Sequence, residues 1–421
     1  MHELYFPSRP LLKNTFRVSL SFFLILLSLF TLYSFNSGTA ETAGIENEIE
    51  HIEEAQEITE KCSFSAKSAR TKFRYVYDNK YTTCWRSSSG SGAMFTVTLP
   101  AGTAASGVWI QWYEHPHSAA VYLPEGKDWI EYSHSDGTYL SDYFPLPEGV
   151  SSFRIANPKG ISTRMAIAEL HIYGPGSTPS KAQIWNPPAE KADLMLLAAH
   201  PDDEILWFGG MLPTYAGQQG KTCQVCMMVP SVPRRRLELL DCLWTCGVRN
   251  YPVWGRYPDS FSSTLKKQYI HWNKNGVYKL VTGWIRRFKP DVLVTHDING
   301  EYGHGAHRVC ADAVIHCLST ASNEEKYTES AKEYGVWDVP KCYLHLYPEN
   351  MIDMDWRQPL SAFGGKTSFE IAQEAFRCHI SQQKSRYSVE DSGQGDCSLF
   401  GLYRSLVGSD IQKNDLFENI E

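Results

Sequence analysis

Two short polar stretches in this 421-residue chain combine histidine and carboxylates at spacings that suit a metal ion. The first, "AAHPDDE" from Ala198 to Glu204, ends an apolar run with His200, Asp202, Asp203 and Glu204. The second, "VTHDINGEYGHGAHR" from Val294 to Arg308, carries His296, Asp297, Glu301, His304 and His307. A catalytic zinc site takes about three His or carboxylate ligands and leaves one position open to water. His200 and Asp203, on a turn entering a helix, can bite one ion from the same side, and His307, starting a later helix, can supply the third ligand. Two neutral imidazoles and one carboxylate leave Zn2+ net positive, so it stays a Lewis acid, and water on it falls to a pKa near ~7 from about 15.7. Asp202, adjacent but not needed as a ligand, is placed to take that water's proton. His304, one turn from His307, is placed to protonate the leaving group or steady an oxyanion. Glu204 reads as a helix-entry acid favoured by the positive end of the dipole. In the plainer alternative Asp202 or Asp203 only caps the helix. Two such clusters, each with histidine and each at a strand end, weigh against it.

Those clusters need a scaffold that brings strand ends together. From Ala192 onward apolar strands ("ADLMLLAA", "CQVCMMVP", "DVLVTHD", "CYLHLY") alternate with helical stretches. The helices are expected over "EILWFGGMLPTYAGQQG" despite Pro213, over "RRRLELLDCLWTCGV", from Ser263 to Phe288, from near His307, and over "SFEIAQEAFRCHISQQ". This alternation predicts an α/β domain with a mostly parallel sheet covered on both faces. Ligands in such sheets sit outside the carboxyl ends of the strands, where both clusters fall.

The paired motifs, "AHPDDE" followed by "GEYGHGAH", resemble the PIG-L/LmbE-like N-acetylglucosaminyl deacetylase family over residues 192–421. "CHISQQ" (Cys378 to Gln383) and "FGLYRSLVG" (Phe400 to Gly408) resemble that family's closing segments. The resemblance implies a Rossmann-like fold and zinc-dependent hydrolysis of the acetamido group of a glucosamine unit. It assigns zinc to His200, Asp203 and His307, the general base to Asp202, the acid to His304, and a substrate contact to Arg235. One departure stands out. Many members read His-Pro-Asp-His in the second motif, whereas this chain has His304-Gly305-Ala306-His307. The acid that would orient His304 is missing, and Asp297, also a candidate substrate contact, is the nearest substitute.

Ahead of this domain, residues 61–175 carry short strands of period two ("AMFTVTLP", "GVWIQWY", "SFRIAN", "IAELHIYG") separated by Gly, Pro, Ser and Asp turns, the pattern of an all-β sandwich. The order "YDNKYTTCW", "FTVTLP", "GVWIQWY", "AELHIYG" resembles the discoidin-like (coagulation-factor C-type, galactose-binding-like) domains. That resemblance implies carbohydrate binding and a cation, Ca2+, near Asp78 and Glu169. A Pro/Gly/Ser-rich linker is expected over 176–190.

The amino terminus reads as targeting. Arg9, Lys13 and Arg17 precede an uncharged apolar run, Val18 to Phe35, so residues 1–40 are a signal peptide or a signal anchor with the rest of the chain exported. An acidic stalk, with Ile45, Ile49 and Ile52 at helical spacing, follows over 41–60. Eleven cysteines cannot all pair within one chain; Cys62 and Cys84 are a candidate disulfide. Cys223 and Cys226 lie on a strand and point to opposite faces, and Cys242 and Cys246 share a helix face as buried thiols. With 40 basic against 47 acidic side chains and a net charge of -7, nucleic acid is excluded as a partner. Three readings remain: an exported zinc deacetylase of N-acetylglucosamine-type glycans, an amidase of another N-acyl amino sugar, or a surface glycan-binding protein with a remnant hydrolase domain.

Overall fold

The computed structural model describes residues 53–90 and 93–420, so the targeting segment and most of the acidic stalk lie outside the described residues. Among the described residues no helix is long and apolar enough to cross a membrane.

The amino-terminal half is built from β1 (Ser63–Ala66), β2 (Trp85–Arg86), β3 (Met94–Thr98), β4 (Gly107–Trp112), β5 (Ala120–Glu125), β6 (Asp128–His134), β7 (Ser141–Pro145), β8 (Ser152–Ala156) and β9 (Ala166–Tyr173). They form a five-stranded sheet, β1-β3-β8-β5-β6, and a four-stranded sheet, β2-β9-β4-β7. All pairings in both are antiparallel. Phe95, Val97, Val121, Phe153 and Ile155 of the first sheet share one buried cluster with Trp85, Val108, Ile110, Ile167 and Leu170 of the second. The sandwich follows from the period-two alternation read in the sequence.

The carboxyl-terminal half holds β10 (Leu194–Ala198), α1 (Asp203–Leu206), β11 (Cys223–Met227), α2 (Pro233–Thr245), β12 (Val253–Trp254), α3 (Leu265–His271), α4 (Lys274–Phe288), β13 (Val292–Thr295), α5 (Gly305–Ala321), α6 (Thr328–Tyr334), β14 (Lys341–His345), β15 (Met351–Asp353), α7 (Ser368–Phe376) and β16 (Leu399–Ser405). The sheet order is β12-β11-β10-β13-β14-β16-β15. Strands β10 to β14 pair in parallel, and β16 and β15 add an antiparallel edge, so the sheet is mixed but mainly parallel. Chain order runs outward from β10 on one side and resumes at β13 on the other. The crevice beyond the carboxyl ends of β10 and β13 is therefore the switch point where such sheets bind ligands. One sheet face packs on a cluster that includes Leu196, Leu239, Leu243 and Phe376; the other packs on Trp284, Ile285, Val309 and Val314.

Several expectations need correction. Residues 53–58 are not a stalk helix: Glu57 bridges Tyr173, and the Ile58 N–H donates to the Ile172 carbonyl at 2.7 Å, because burying Ala55 and Ile58 on the sandwich is worth more than an isolated acidic helix. The helix expected after Glu204 is only four residues long. It gives way to a turn at Gly209 (φ +46°) and a π-helical stretch, Pro213–Gln218. The helix expected from Ser263 to Phe288 is two, and the Asn273 side chain caps the second by accepting the Gly276 N–H at 2.7 Å. Cys62 and Cys84 are free thiols, as are the other nine cysteines. The 176–190 linker carries no helix or strand, and within it Trp185 is buried, edge-on to Trp244 and Tyr251.

The two halves meet through a polar seam. Asp241 on α2 accepts from Tyr81 Oη at 2.6 Å, Gln183 Nε2 at 2.6 Å and Gln111 Nε2 at 3.1 Å. Burial pushes its carboxyl up to about 6, against the pull of those hydrogen bonds.

Candidate active site

Strand β10 delivers His200 to the crevice, and β13 delivers His296. The structure brings His200, Asp203 and His307 together: one candidate ligand atom from each lies within 4.8 Å of the others, and all three residues are buried. Asp203 Oδ2 accepts the His200 backbone N–H at 2.7 Å and faces His200 Nδ1 at 3.2 Å, while Oδ1 accepts from Trp207 Nε1 at 2.9 Å. His307 Nε2 lies 3.3 Å from Asp203 Oδ1.

Opposite charges are buried side by side here. Burial opposes charge on both Asp203 and His307. Even so, His307 and His200 hold the Asp203 carboxyl well below the usual range, and Asp203 with Glu301 pushes His307 up to about 10. His200 Nε2 and His307 Nε2 are buried without a hydrogen-bond partner. Orphaned imidazole nitrogens beside a committed carboxylate are what a closed set of metal ligands looks like before an ion arrives, so the residues present fit zinc.

Glu301 organises the site from behind. It lies in a tight turn after β13, and its Oε2 faces His296 Nδ1 at 2.8 Å and His307 Nδ1 at 2.7 Å. Its Oε1 faces His345 Nδ1 at 2.7 Å and accepts the Asp297 N–H at 3.1 Å. Burial works against charge on Glu301, but the three imidazoles outweigh it and hold the carboxyl well below its usual range. An ionised carboxylate only accepts, so each of these Nδ1 atoms carries a proton. Glu301 thereby fixes the His307 ring through Nδ1 and leaves Nε2 as the atom a metal ion would take in place of a proton.

Asp202 sits at the mouth. Its Oδ1 is 2.9 Å from Arg235 Nη2; Arg235 also bonds the Pro201 carbonyl and lies 3.4 Å from Asp259. Burial drives the Asp202 carboxyl up and Arg235 pulls it back, leaving it at about 7. Asp259 is half-exposed and 3.8 Å from His200 Nε2. Nothing in "RYPDS" signals its approach.

His304 is oriented by the backbone. Its Nδ1 accepts the Ala306 N–H at 3.1 Å and so caps α5. Asp297 does not orient it: the Asp297 carboxylate accepts from the Asn299 N–H at 2.9 Å instead. Burial, with His307 and His200 adding to it, lowers His304 to about 3. The ring is neutral with its proton on Nε2. Phe261 and Tyr302 stand edge-on to it at 5.0 and 5.5 Å.

Glu204 lies in the first turn of α1, as expected of a helix-entry acid, but it is wholly buried, and His379 Nε2 faces its Oε1 at 2.6 Å. No local pattern could have announced a partner 175 residues away.

In the sandwich, Asp78 accepts from Thr83 Oγ1 at 2.9 Å, and Glu169 Oε1 accepts the Lys80 N–H at 2.8 Å. Glu169 Oε2 is buried without a partner. Burial first, then Asp78 and Asp241 against the Lys80 and Asn79 amides, raises Glu169 to about 7.

Fold and site together give an α/β domain whose crevice gathers residues that could hold a metal ion. The family model described as "PIG-L: GlcNAc-PI de-N-acetylase" matches residues 195–318. A 1D-myo-inositol 2-acetamido-2-deoxy-alpha-D-glucopyranoside deacetylase from Catenulispora acidiphila is 28% identical over 262 residues, covering 55% of this chain and 73% of that one. Its counterpart from Rhodococcus opacus is 30% identical over 179 residues, 36% of this chain, which spans 60% of that relative's length. By these matches the α/β domain is similar to the PIG-L/LmbE-like GlcNAc deacetylases. Among solved structures, the N,N'-diacetylchitobiose deacetylase from Pyrococcus horikoshii is 18% identical with a TM-score of 0.35, covering 46% of this chain and 72% of that one. A family 89 glycoside hydrolase from Clostridium perfringens is 22% identical with a TM-score of 0.24, covering 32% of this chain and 16% of that one. Both likenesses are too loose to bear on activity.

Proposed function

We propose that the chain is a zinc-dependent deacetylase of N-acetylglucosamine-type sugars, with His200, Asp203 and His307 as ligands. The observation that carries this is the clustering of buried His200, Asp203 and His307, with one candidate ligand atom of each within 4.8 Å of the others, beside a raised Asp202 carboxyl. Zinc held there supplies a Lewis acid that polarises the acetamide and acidifies water.

The chain's own residues do the rest. Asp202, at about 7, takes a proton from the attacking water and returns it to the departing amine, so that one carboxyl serves as base and then acid. Arg235 holds that carboxylate in place and is freed to meet substrate hydroxyls as the proton arrives. The His304 Nε2–H donates to the oxygen that gains charge. Its Nδ1 is committed to the Ala306 amide, so His304 works as a neutral oxyanion donor rather than as an imidazolium acid. Asp297 lines the turn behind this wall and is a substrate contact at most through its exposed carboxylate edge. Products are acetate and the free amino sugar.

The sandwich, in this reading, is a discoidin-like glycan-binding module with a calcium site at Asp78 and Glu169, for which the orphaned Glu169 Oε2 speaks. The amino-terminal segment exports the chain and, if retained, tethers it to the membrane, raising the local concentration of a surface glycan. The test is acetate release from defined N-acetylated saccharides with and without chelator, alongside zinc content. Release that is abolished by chelation, restored by zinc, and lost in Asp202→Asn at unchanged zinc content is the expected result. Release that persists in Asp202→Asn removes Asp202 as the base.

A further inference from the structure

Asp202 holds an unusual backbone. Its φ is +132° and its ψ -26°, a region that an L-residue enters only when its surroundings compel it. The strain falls on the residue whose carboxylate must be aimed, so what compels it matters. The Asp202 N–H donates to Glu204 Oε2 at 2.8 Å. Glu204 cannot swing away, because its other oxygen, Oε1, is held by His379 Nε2 at 2.6 Å, and both side chains are fully buried.

His379 is itself pinned. It follows α7, in the stretch "CHISQQ", and its N–H donates to the Phe376 carbonyl at 3.0 Å. Two residues on, Ser381 gives its N–H to Glu238 Oε1 on α2 at 3.0 Å and its hydroxyl to Glu238 Oε2. A chain of contacts thus runs from α2 through the segment after α7 to Glu204, and ends on the peptide of Asp202. None of these groups reaches the mouth of the site.

We propose that His379 and Glu204 form a positioning brace that holds the Asp202 peptide in its left-handed conformation and so aims its carboxylate. This rests on the reading of Asp202 as the base. The pair touches neither ligand nor substrate and acts only through Asp202.

The test uses the full chain with His379→Leu, which removes the donor while filling the space, His379→Gln, which restores a donor near the Nε2 position, and Glu204→Gln. With N,N'-diacetylchitobiose as the probe, His379→Leu and Glu204→Gln should lower kcat about 10- to 100-fold. KM and zinc per chain should stay within about twofold of wild type, and His379→Gln should recover part of the loss. Placed on Asp202→Asn, either change should cost less than about threefold more, because the brace has nothing left to aim. Wild-type kcat in both variants, or losses that multiply with Asp202→Asn, overturn the brace while leaving the base in place. A second readout does not need turnover. In protein selectively labelled with 15N-aspartate, the Asp202 amide should shift upfield in His379→Leu and Glu204→Gln as its carboxylate acceptor is released. A peak that stays put in both overturns the proposal. If wild type releases no acetate but the peak moves, the brace stands and the deacetylase reading falls.

Discussion

Replacing Glu301 by glutamine should unseat one or two of the three histidines it holds, depending on which oxygen becomes the NH2 group. The carboxylate offers four acceptor sites and all are used: Oε2 faces His296 Nδ1 at 2.8 Å and His307 Nδ1 at 2.7 Å, Oε1 faces His345 Nδ1 at 2.7 Å and the Asp297 amide at 3.1 Å. Glutamine keeps the shape but turns one oxygen into a two-proton donor. Whichever way the amide is turned, an NH2 group meets two N–H donors. Two charge-assisted hydrogen bonds are lost at roughly 1.5–3 kcal/mol each, and removing one partner of a buried ionic cluster costs about 3–5 kcal/mol. If the NH2 faces His307, relief comes by moving that imidazole's proton from Nδ1 to Nε2, which occupies the lone pair zinc needs. Zinc affinity should then fall about 10- to 100-fold. Urea denaturation of zinc-free Glu301→Gln should show a loss of about 3–5 kcal/mol, and competition against a chromogenic chelator should show the weaker zinc binding. A stability loss under about 1 kcal/mol together with unchanged zinc affinity would refute the hub.

Other perturbations separate the remaining roles. His304→Gln should lower kcat by roughly 10²–10³ while zinc per chain, read by metal analysis, stays constant, because His304 is an oxyanion donor and not a ligand. At the seam, Asp241 has a folded-state value of about 6, above the ordinary 3.8, so the folded chain binds the extra proton between those values and stability falls as pH rises through them. Relative to wild type, Asp241→Asn should gain roughly 2–2.5 kcal/mol between pH 4 and pH 7 in urea titrations, at roughly 1.4 kcal/mol per decade of proton affinity; a difference independent of pH contradicts the assignment. Glu57 has the opposite sign. Burial opposes its charge, but His171 Nδ1 at 2.8 Å and Lys181 Nζ at 2.7 Å overcome it and lower it to about 2, so its contribution is present above the ordinary 4.5 and lost as pH falls toward 2. The deficit of Glu57→Gln at pH 7 should therefore vanish near pH 2, as followed by thermal unfolding.

What the sequence made legible were the features that act locally. An apolar strand that stops at His200, and another that stops at His296, state that β10 and β13 end in chemistry, and parallel pairing of the two puts both clusters in one crevice. Period-two alternation likewise announced strands such as β3, whereas β4 and β9 are buried along their whole length. Contacts made at long range were not legible. Glu301 appeared as one acid in a glycine-rich loop, and its grip on His345 depends on β14 lying beside β13. His379 pairs with Glu204 only because α7 folds back toward α1. The short α1 was missed because the apolar stretch after Glu204 has helical composition. Gly210, however, sits so close to Trp356 and Ser368 that an added Cβ would lie 2.6–2.8 Å from them, and close packing rather than propensity decides the local path.

The seam at Asp241 also bears on what can be cut and transplanted. A single apolar cluster runs from Trp112 and Phe153 of the sandwich through Trp185 to Leu239 and Phe376 beneath the α/β sheet. Tyr251 closes it by accepting the Leu140 N–H at 3.0 Å. Excising either half along the sequence boundary would bare that hydrophobic surface and strand Asp241 without Tyr81 and Gln111. The smallest piece of this chain that can be moved between proteins is thus both halves together, even though each looks like a self-sufficient module when its strands are counted.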